Sequence, residues 1–424
     1  MNDYLNKLLK NSGEILGTQH SGEVTVGKHR SLNVLSVLAA VLALGAAIWI
    51  VVPAPSYYVW LLAVAASEWS FALAALALFS IVAALFFGRG KIKTVTIFTG
   101  ATAFLISLYP FADALTTARE HNVSPSFGQY ATGFFARNER IDKETFTFAT
   151  IDGKSLELDV YSPPAGVQKN GAGVVVVHGG SWNAGGRGDF PRWNGWLAEN
   201  GYTVFDIDYR LAPQPNYLTA TGDVKCAVGW IKTNAERFGI APDKTILLGR
   251  SAGGHLALLA AYSVNDRRLP SSCANAKSGV SSNAADETVR AVVSFYAPVD
   301  LIWSFDNPAN ELVINGKKTL AQFLGGNPHE SSEMRERYLL ASPDTHVNSN
   351  TAPTLLIHGG QDQLVRTENM HRLAEKLDAE KVPHETVSLG YAQHGFDYNF
   401  NGWGAQVAQS VLLDFLRKNT ESGK

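Results

Sequence analysis

Ser251 stands between Gly249 and Gly253 in "LLGRSAGG", directly after the apolar run Thr245–Leu248 and before a stretch of helical pattern. A hydroxyl at such a strand–turn–helix junction projects from the end of a sheet, and flanking glycines allow the close approach that this needs. The five-residue pattern alone arises by chance in roughly one chain in five of this length, so the rest of the sequence must supply partners. A serine hydroxyl is too weak an acid to attack a carbonyl unaided. It needs a base, and the base needs an acid to orient it. Asp362, in "HGGQDQLV", follows the run Thr354–Ile357, and His394, in "YAQHGF", follows the last expected strand. Both fall at the same carboxyl edge as Ser251. Asp300, in "APVDL", is a rival acid; His358 also ends a strand but precedes the acid in the chain. His371 and His384 lie in or beside a helix, where a solvated histidine is the ordinary reading.

Attack on a carbonyl also needs donors for the negative charge that develops on its oxygen. In "VVVVHGGSW" a β-branched run ends in two glycines. The amides of Gly179, Gly180 and Ala252 are the expected oxyanion donors, with His178 a structural hydrogen-bonding group. Trp182 is the expected substrate-binding residue of this loop; Trp193 and Trp196 also sit near it, and simple packing is the alternative for all three. No spacing of histidine, cysteine or acid suggests a metal site, and this chemistry needs no cofactor.

The elements that must position these residues alternate. Glu144–Thr150 and Leu156–Tyr161 flank the turn Asp152-Gly153 and read as a hairpin. Gly173–Val177, Tyr202–Ile207, Thr245–Leu248, Ala291–Phe295 and Thr354–Ile357 are continuous apolar runs of the kind buried on both faces of a parallel sheet, with Glu385–Leu389 a weaker sixth. Helical patterns over Asp223–Phe238, His255–Ser263, Glu368–Lys381 and Ala405–Lys418 separate them. This order implies βαβ units with helices on both faces, and ligands bound outside the carboxyl ends of the strands. The segment Pro298–Ser342 is too long for a plain connection and reads as a cap, with Trp303, Phe305, Phe323 and Leu324 either lining the pocket or, for most, forming the cap's own core.

The formal charge of −2 gives no hint of a nucleic-acid partner. Apolar residues concentrate near the N-terminus, in three spans, Asn33–Val52, Ser70–Phe87 and Thr94–Ala112, each about long enough to cross a bilayer as a helix. Tyr57–Ala66 is too short to cross alone and lies at the interface or extends the second helix. Lys7, Lys10, Lys28 and Arg30 precede the first span, Arg89, Lys91 and Lys93 lie between the second and third, and the loop between the first and second has no lysine or arginine. The positive-inside rule then makes the N-terminus cytoplasmic and everything after Asp113 extracytoplasmic. The expected organisation is a tail over residues 1–30, a three-helix transmembrane anchor over 31–113, a linker over 114–140 and a catalytic domain over 141–424. Both cysteines, Cys226 and Cys273, fall in that domain; oxidation is permitted there, but their placement favours two inert thiols over a bridge.

The ordered set "HGGSWNAGG", "DIDYRLAP", "GRSAGGHLA", "HGGQDQLV" and "QHGF", spread over residues 141–420, resembles the α/β-hydrolase carboxylesterases, within them the hormone-sensitive-lipase-like and acetyl-esterase/deacetylase group. The resemblance implies an α/β-hydrolase fold, preceded here by the three transmembrane helices that the apolar spans indicate, and a Ser251–His394–Asp362 triad acting on short-chain or O-acetyl esters through an acyl-enzyme. It also makes Asp208, Tyr209 and Arg210 structural residues that brace the oxyanion loop. Two departures stand out: Arg250 precedes the nucleophile where the lipase-like branch has an acid, and Ser181 replaces a third glycine. Lipase, amidase or peptidase, and acyltransferase chemistry use the same machinery, and a non-catalytic binding module is the reading from another class. The expected partners are a small-molecule ester and the lipid bilayer.

Overall fold

The computed structural model describes residues 30–133, 142–275 and 286–421. Lys7, Lys10 and Lys28 lie outside them. The chain divides into two compact units, one formed by residues 1–52 and 61–110, the other by 53–60 and 111–424.

The first unit is built on apolar helices α1 (Arg30–Ile50), α3 (Ser70–Phe87) and α4 (Gly90–Glu120), all long and apolar enough to cross a membrane. Ala43, Ala77 and Ala103 meet in its interior, and a Cβ on Gly100 would lie 2.5 Å from Ser80 Oγ. Small residues line the inside of this unit, and leucine, valine and phenylalanine are exposed on its outside. Tyr57–Glu68 forms a helix of its own, α2, with Trp69 between it and α3. Helix α4 corrects the expected linker. The negative charge of Asp113 ends the apolar stretch but not the helix, which runs on through Pro110 to Glu120; α5 (Phe127–Gly133) follows, and residues 134–141 lie outside the described ones.

The second unit carries an eight-stranded sheet in the order β1-β2-β4-β3-β5-β6-β7-β8. Strands β1 (Glu144–Ile151) and β2 (Lys154–Tyr161) are the expected hairpin, joined antiparallel to β4 (Thr203–Ile207). From β4 through β3 (Gly173–Val177), β5 (Thr245–Arg250), β6 (Ala291–Phe295), β7 (Thr354–Gly359) and β8 (His384–Leu389) every pairing is parallel. Strands β3 to β7 are buried at every residue, because helices cover both faces. These are α6 (Pro191–Glu199), α7 (Tyr217–Thr233), α8 (Ala235–Phe238), α9 (Ala252–Tyr262), α13 (Glu368–Ala379) and α14 (Trp403–Thr420). Three short helices, α10 (Leu301–Asp306), α11 (Gly316–Leu324) and α12 (Ser332–Ala341), fill the expected cap segment. Phe323 and Leu324 are fully buried and Phe305 nearly so, which makes them the cap's own core.

The two cysteines are bonded, against the reading of inert thiols. Cys226 on α7 and Cys273 in the turn Ser272–Asn275 sit with Cα atoms 5.0 Å apart. The turn folds back onto the helix, a contact between elements that spacing in the sequence does not show.

Candidate active site

Strand β5 delivers Ser251 into a backbone conformation that L-residues rarely adopt, φ 54° and ψ −122°, and α9 begins at the next residue. The flanking glycines are required by close packing. A Cβ at Gly249 would lie 2.2 Å from the Gly253 carbonyl, and one at Gly253 would lie 2.2 Å from the carbonyls of Val177 and His178. Such a turn stores strain that the surrounding sheet and helix hold in place, and it aims the hydroxyl outward.

Two loops at the same sheet edge bring the partners. Ser251 Oγ donates to His394 Nε2 at 2.9 Å, and His394 Nδ1 donates to Asp362 Oδ2 at 2.7 Å. The other oxygen of Asp362 accepts from the amides of Leu364 and Val365 at 2.8 and 2.9 Å. His358 lies 3.3 Å from Asp362 Oδ2 while its Nε2 donates to the Val365 carbonyl, so it supports the acid and stands away from the serine. Burial opposes ionisation of Asp362, but His394, His358 and these hydrogen bonds prevail and hold its carboxyl well below the usual carboxylate range. The rival Asp300 caps α10 at the Trp303 amide and pairs with Arg372.

Of the expected oxyanion residues, Gly179 and Ala252 lie beside Ser251. A Cβ on Gly179 would lie 3.4 Å from Ser251 Cβ, so this backbone passes against the nucleophile. Gly180, Ser181 and Trp182 all have positive φ, 107°, 53° and 59°, which turns the strand end sharply. Ala252 opens α9, so its amide has no acceptor within the helix and sits at the positive end of the helix dipole.

Of the "DYR" residues, Tyr209 and Asp208 contact the loop after β3, and the Arg210 side chain braces α7 instead. Tyr209 stacks on His178 at 4.3 Å and donates to the His178 and Gly179 carbonyls at 3.3 and 3.4 Å. Asp208 pairs with Arg187 beyond the glycines, and Arg210 is clasped by Asp223 of α7 and bonds Ser272 next to the disulfide. Burial pushes the His178 imidazole down, and its Nδ1 donates to the Gly179 carbonyl.

A cavity of about 70 Å³ opens at Ser251, walled by Trp182, Ala252, Ile314, Leu320 and Val365. Trp182 stacks on Phe323 at 4.2 Å and donates to His255 Nδ1 at 3.2 Å, while His255 Nε2 donates to the Ala341 carbonyl. Burial drives the His255 imidazole down to about 4, which fixes it neutral, an acceptor on one side and a donor on the other. Trp182 therefore packs and lines at once. Trp193 lies beneath the site, over Arg250.

Arg250 explains its own departure from the lipase-like pattern. Its guanidinium is buried, bonds Asp397 Oδ2 through Nε at 2.6 Å, and lies over the rings of Phe190, Trp193 and Phe295 at 4.0, 5.0 and 4.9 Å. Asp397 also accepts from Tyr296 Oη at 2.6 Å, and the Tyr296 ring stands 4.4 Å from His394. Sequence reasoning missed Asp397 and Tyr296. The signal was there: a charged residue at the end of a strand buried on both faces must find a counter-charge.

Among the described residues no cluster of histidine, cysteine, aspartate or glutamate is arranged to hold a metal ion.

Known proteins share this arrangement of chain. The sequence model of the BD-FAE family matches residues 158–377. A probable carboxylic ester hydrolase, LipM, of Mycobacterium tuberculosis is 29% identical over 263 residues, covering 61% of this chain and 57% of its own. The esterase LipQ of the same organism is 30% identical over 275 residues, covering 62% and 59%. The match thus spans less than two thirds of the length of these curated relatives. Esterase 2 of Thermogutta terrifontis, in a structure phosphonylated by sarin, superimposes with a TM-score of 0.53 at 23% identity over 67% of this chain and 98% of its own. The chain belongs to the BD-FAE family and has the α/β-hydrolase fold of its carboxylic ester hydrolase relatives.

Proposed function

We propose that this chain is a membrane-anchored serine carboxylesterase for short-chain or O-acetyl esters. The observation that carries the reading is the unbroken hydrogen-bond chain from Ser251 Oγ through His394 to the buried Asp362. Ser251 Oγ attacks the ester carbonyl carbon as its proton passes to His394 Nε2. Asp362 holds the imidazole in the required orientation and offsets the charge it gains. The amides of Gly179, Gly180 and Ala252 receive the oxyanion, in a site where such donors need no reorganisation. Collapse of the tetrahedral intermediate breaks the bond to the alcohol oxygen, which leaves with the proton from His394. Water then gives a proton to the same nitrogen, attacks the acyl-enzyme, and the acid departs as Ser251 regains its proton. Trp182 forms part of the wall, and the small cavity beside it suits a short acyl group.

Helices α1, α3 and α4 are the anchor in this reading, with residues after Asp113 on the extracytoplasmic side. The loop from Pro53, free of lysine and arginine, supports that orientation, since Ala54 is hydrogen-bonded to Gln363 of the catalytic unit and must share its side of the membrane. A reporter fused at the C-terminus and active only in the cytoplasm overturns it.

The test of the chemistry uses the full-length protein in detergent, with nitrophenyl esters of increasing acyl length beside Ser251→Ala. The expected result is turnover that depends on Ser251 and falls as the acyl chain lengthens. A folded wild type no faster than the alanine variant on every ester removes the hydrolase reading.

A further inference from the structure

Ala54 lies in the loop between α1 and α2, 309 positions before Gln363, yet its amide donates to Gln363 Oε1 at 2.7 Å. Its carbonyl accepts from Asn310 Nδ2 at 2.7 Å, and Asn310 also donates to Gln363 Oε1 at 2.9 Å. Both backbone groups of one buried residue are thus taken by side chains of the catalytic unit, to which residues 53–60 themselves belong. The attachment lies next to the chemistry. Gln363 follows Asp362 directly, and its own amide donates to Gln393 Oε1 at 3.1 Å, beside His394.

The loop also closes space. A second cavity of about 840 Å³ is lined by Pro53, Ala54, Pro55, Leu312 and Gln363. It shares Asn307, Pro308, Ala309 and Arg366 with the cavity at Ser251, so the two adjoin, a narrow space at the serine and a wide one at the loop. Pro53, Ala54, Pro55 and Pro308 make one part of the wide end apolar, and Glu311, Lys317, Arg366 and Glu368 bring both signs of charge to another. A small soluble ester fills the narrow end and leaves the wide end to water. A longer molecule gains roughly 25 cal/mol for each Å² of apolar surface it removes from water there.

We propose that the two cavities form one substrate cleft with residues 53–55 as its far wall, and that the ester bound here is amphiphilic, with its small reacting end at Ser251 and a long membrane-borne remainder under the loop. The chain on either side of the loop runs directly into apolar helices, so the wide end of the cleft is tethered to the bilayer by its own wall. This inference rests on the ester-hydrolase reading and deepens it by naming the kind of substrate.

The experiment compares two probes on the full-length protein in phosphatidylglycerol vesicles. One is nitrophenyl acetate, which is small and soluble. The other is a phospholipid with a hexadecyl ether at one glycerol position and an acetyl ester at the next, so that acetate is the only acyl group to lose. Asn310→Ala removes the bond to the Ala54 carbonyl and leaves the Gln363 one, and Ala54→Trp crowds the wall while leaving Asn310 and Gln363 in place. Losing the Asn310 bonds to the Ala54 carbonyl and to Gln363 is expected to lower the rate ratio of lipid probe to soluble probe about tenfold, and Ala54→Trp is expected to lower the same ratio. A wild type that cleaves the soluble ester but not the lipid, or a ratio unchanged in both variants, overturns the proposal and leaves ester hydrolysis standing. A wild type that cleaves neither probe removes the hydrolase reading, and the proposal with it.

Discussion

Asp397→Asn tests whether the buried pair beneath the nucleophile holds the site together. The Arg250 side chain is 2% exposed and that of Asp397 is 0% exposed, so neither charge has water to fall back on. Asparagine keeps an oxygen for Arg250 Nε and can turn its amide nitrogen toward Tyr296 Oη, so the shape survives and the counter-charge is lost. Removing one partner of a buried pair costs about 3–5 kcal/mol, and the hydrogen bond that remains returns about 1 kcal/mol. The net loss is about 2–4 kcal/mol, which in a domain of this size lowers Tm by about 3–7 °C. Thermal unfolding followed by near-ultraviolet circular dichroism, at fixed protein and detergent concentration, reads it. Because Tyr296 packs on His394 and Asp397 lies three residues beyond it, kcat for a soluble ester should fall more than KM rises. The double variant Arg250→Met with Asp397→Asn leaves no unpaired charge and should recover about half of the loss or more. A Tm within about 2 °C of wild type for Asp397→Asn, or strict additivity in the double variant, refutes the reasoning.

Three further outcomes are expected. Gly179→Ala places a methyl 3.1 Å from the Arg250 carbonyl and against Ser251; it should cut kcat by about a hundredfold through the oxyanion site with little change in Tm, and equal losses in both would show a folding defect instead. Burial pushes the Asp206 carboxyl up to about 7, against the opposing hydrogen bonds from Gly188 and Asn194. The folded state therefore holds a proton that the unfolded chain releases, so this residue's contribution is full below the ordinary carboxylate range and is lost as pH rises through about 7; Asp206→Asn should flatten stability across that window, and an unaltered slope rejects the assignment. The Cys226–Cys273 bridge closes a span of 47 residues, and replacing both with alanine should cost about 2–4 kcal/mol in denaturant unfolding, whereas no shift in midpoint denies it a stabilising role.

The parts legible in the sequence are those in which one residue type answers one local demand. Val174–Val177 could be little else than a strand buried on both faces, and the runs ending before Ser251, Asp362 and His394 placed all three at one edge. What stayed hidden depends on partners far along the chain. Helix α6 holds Gly195 and three tryptophan or proline residues in nine, so it lacks a clear helical stripe; burial of Trp193 against Phe295 supplies the stability that propensity does not. Helix α4 was expected to stop where charge begins, but Asp113 is satisfied by the Tyr391 amide, a donor 278 positions away. Arg250 was seen to be unusual, while its reason, Asp397, came only with the fold.

The hydrogen bonds of Ala54 also bear on how the molecule is made. At roughly 5–20 residues per second, the 309 positions between Ala54 and Gln363 take about 15–60 s to synthesise. The loop is thus made long before the side chains that will clasp it exist, and its backbone groups bond water until then. His394, which completes the proposed triad, emerges later still. On the proposed reading, synthesis order alone keeps a nascent chain inactive, and the cleft is completed only when Asn310 and Gln363 close onto a loop made long before them.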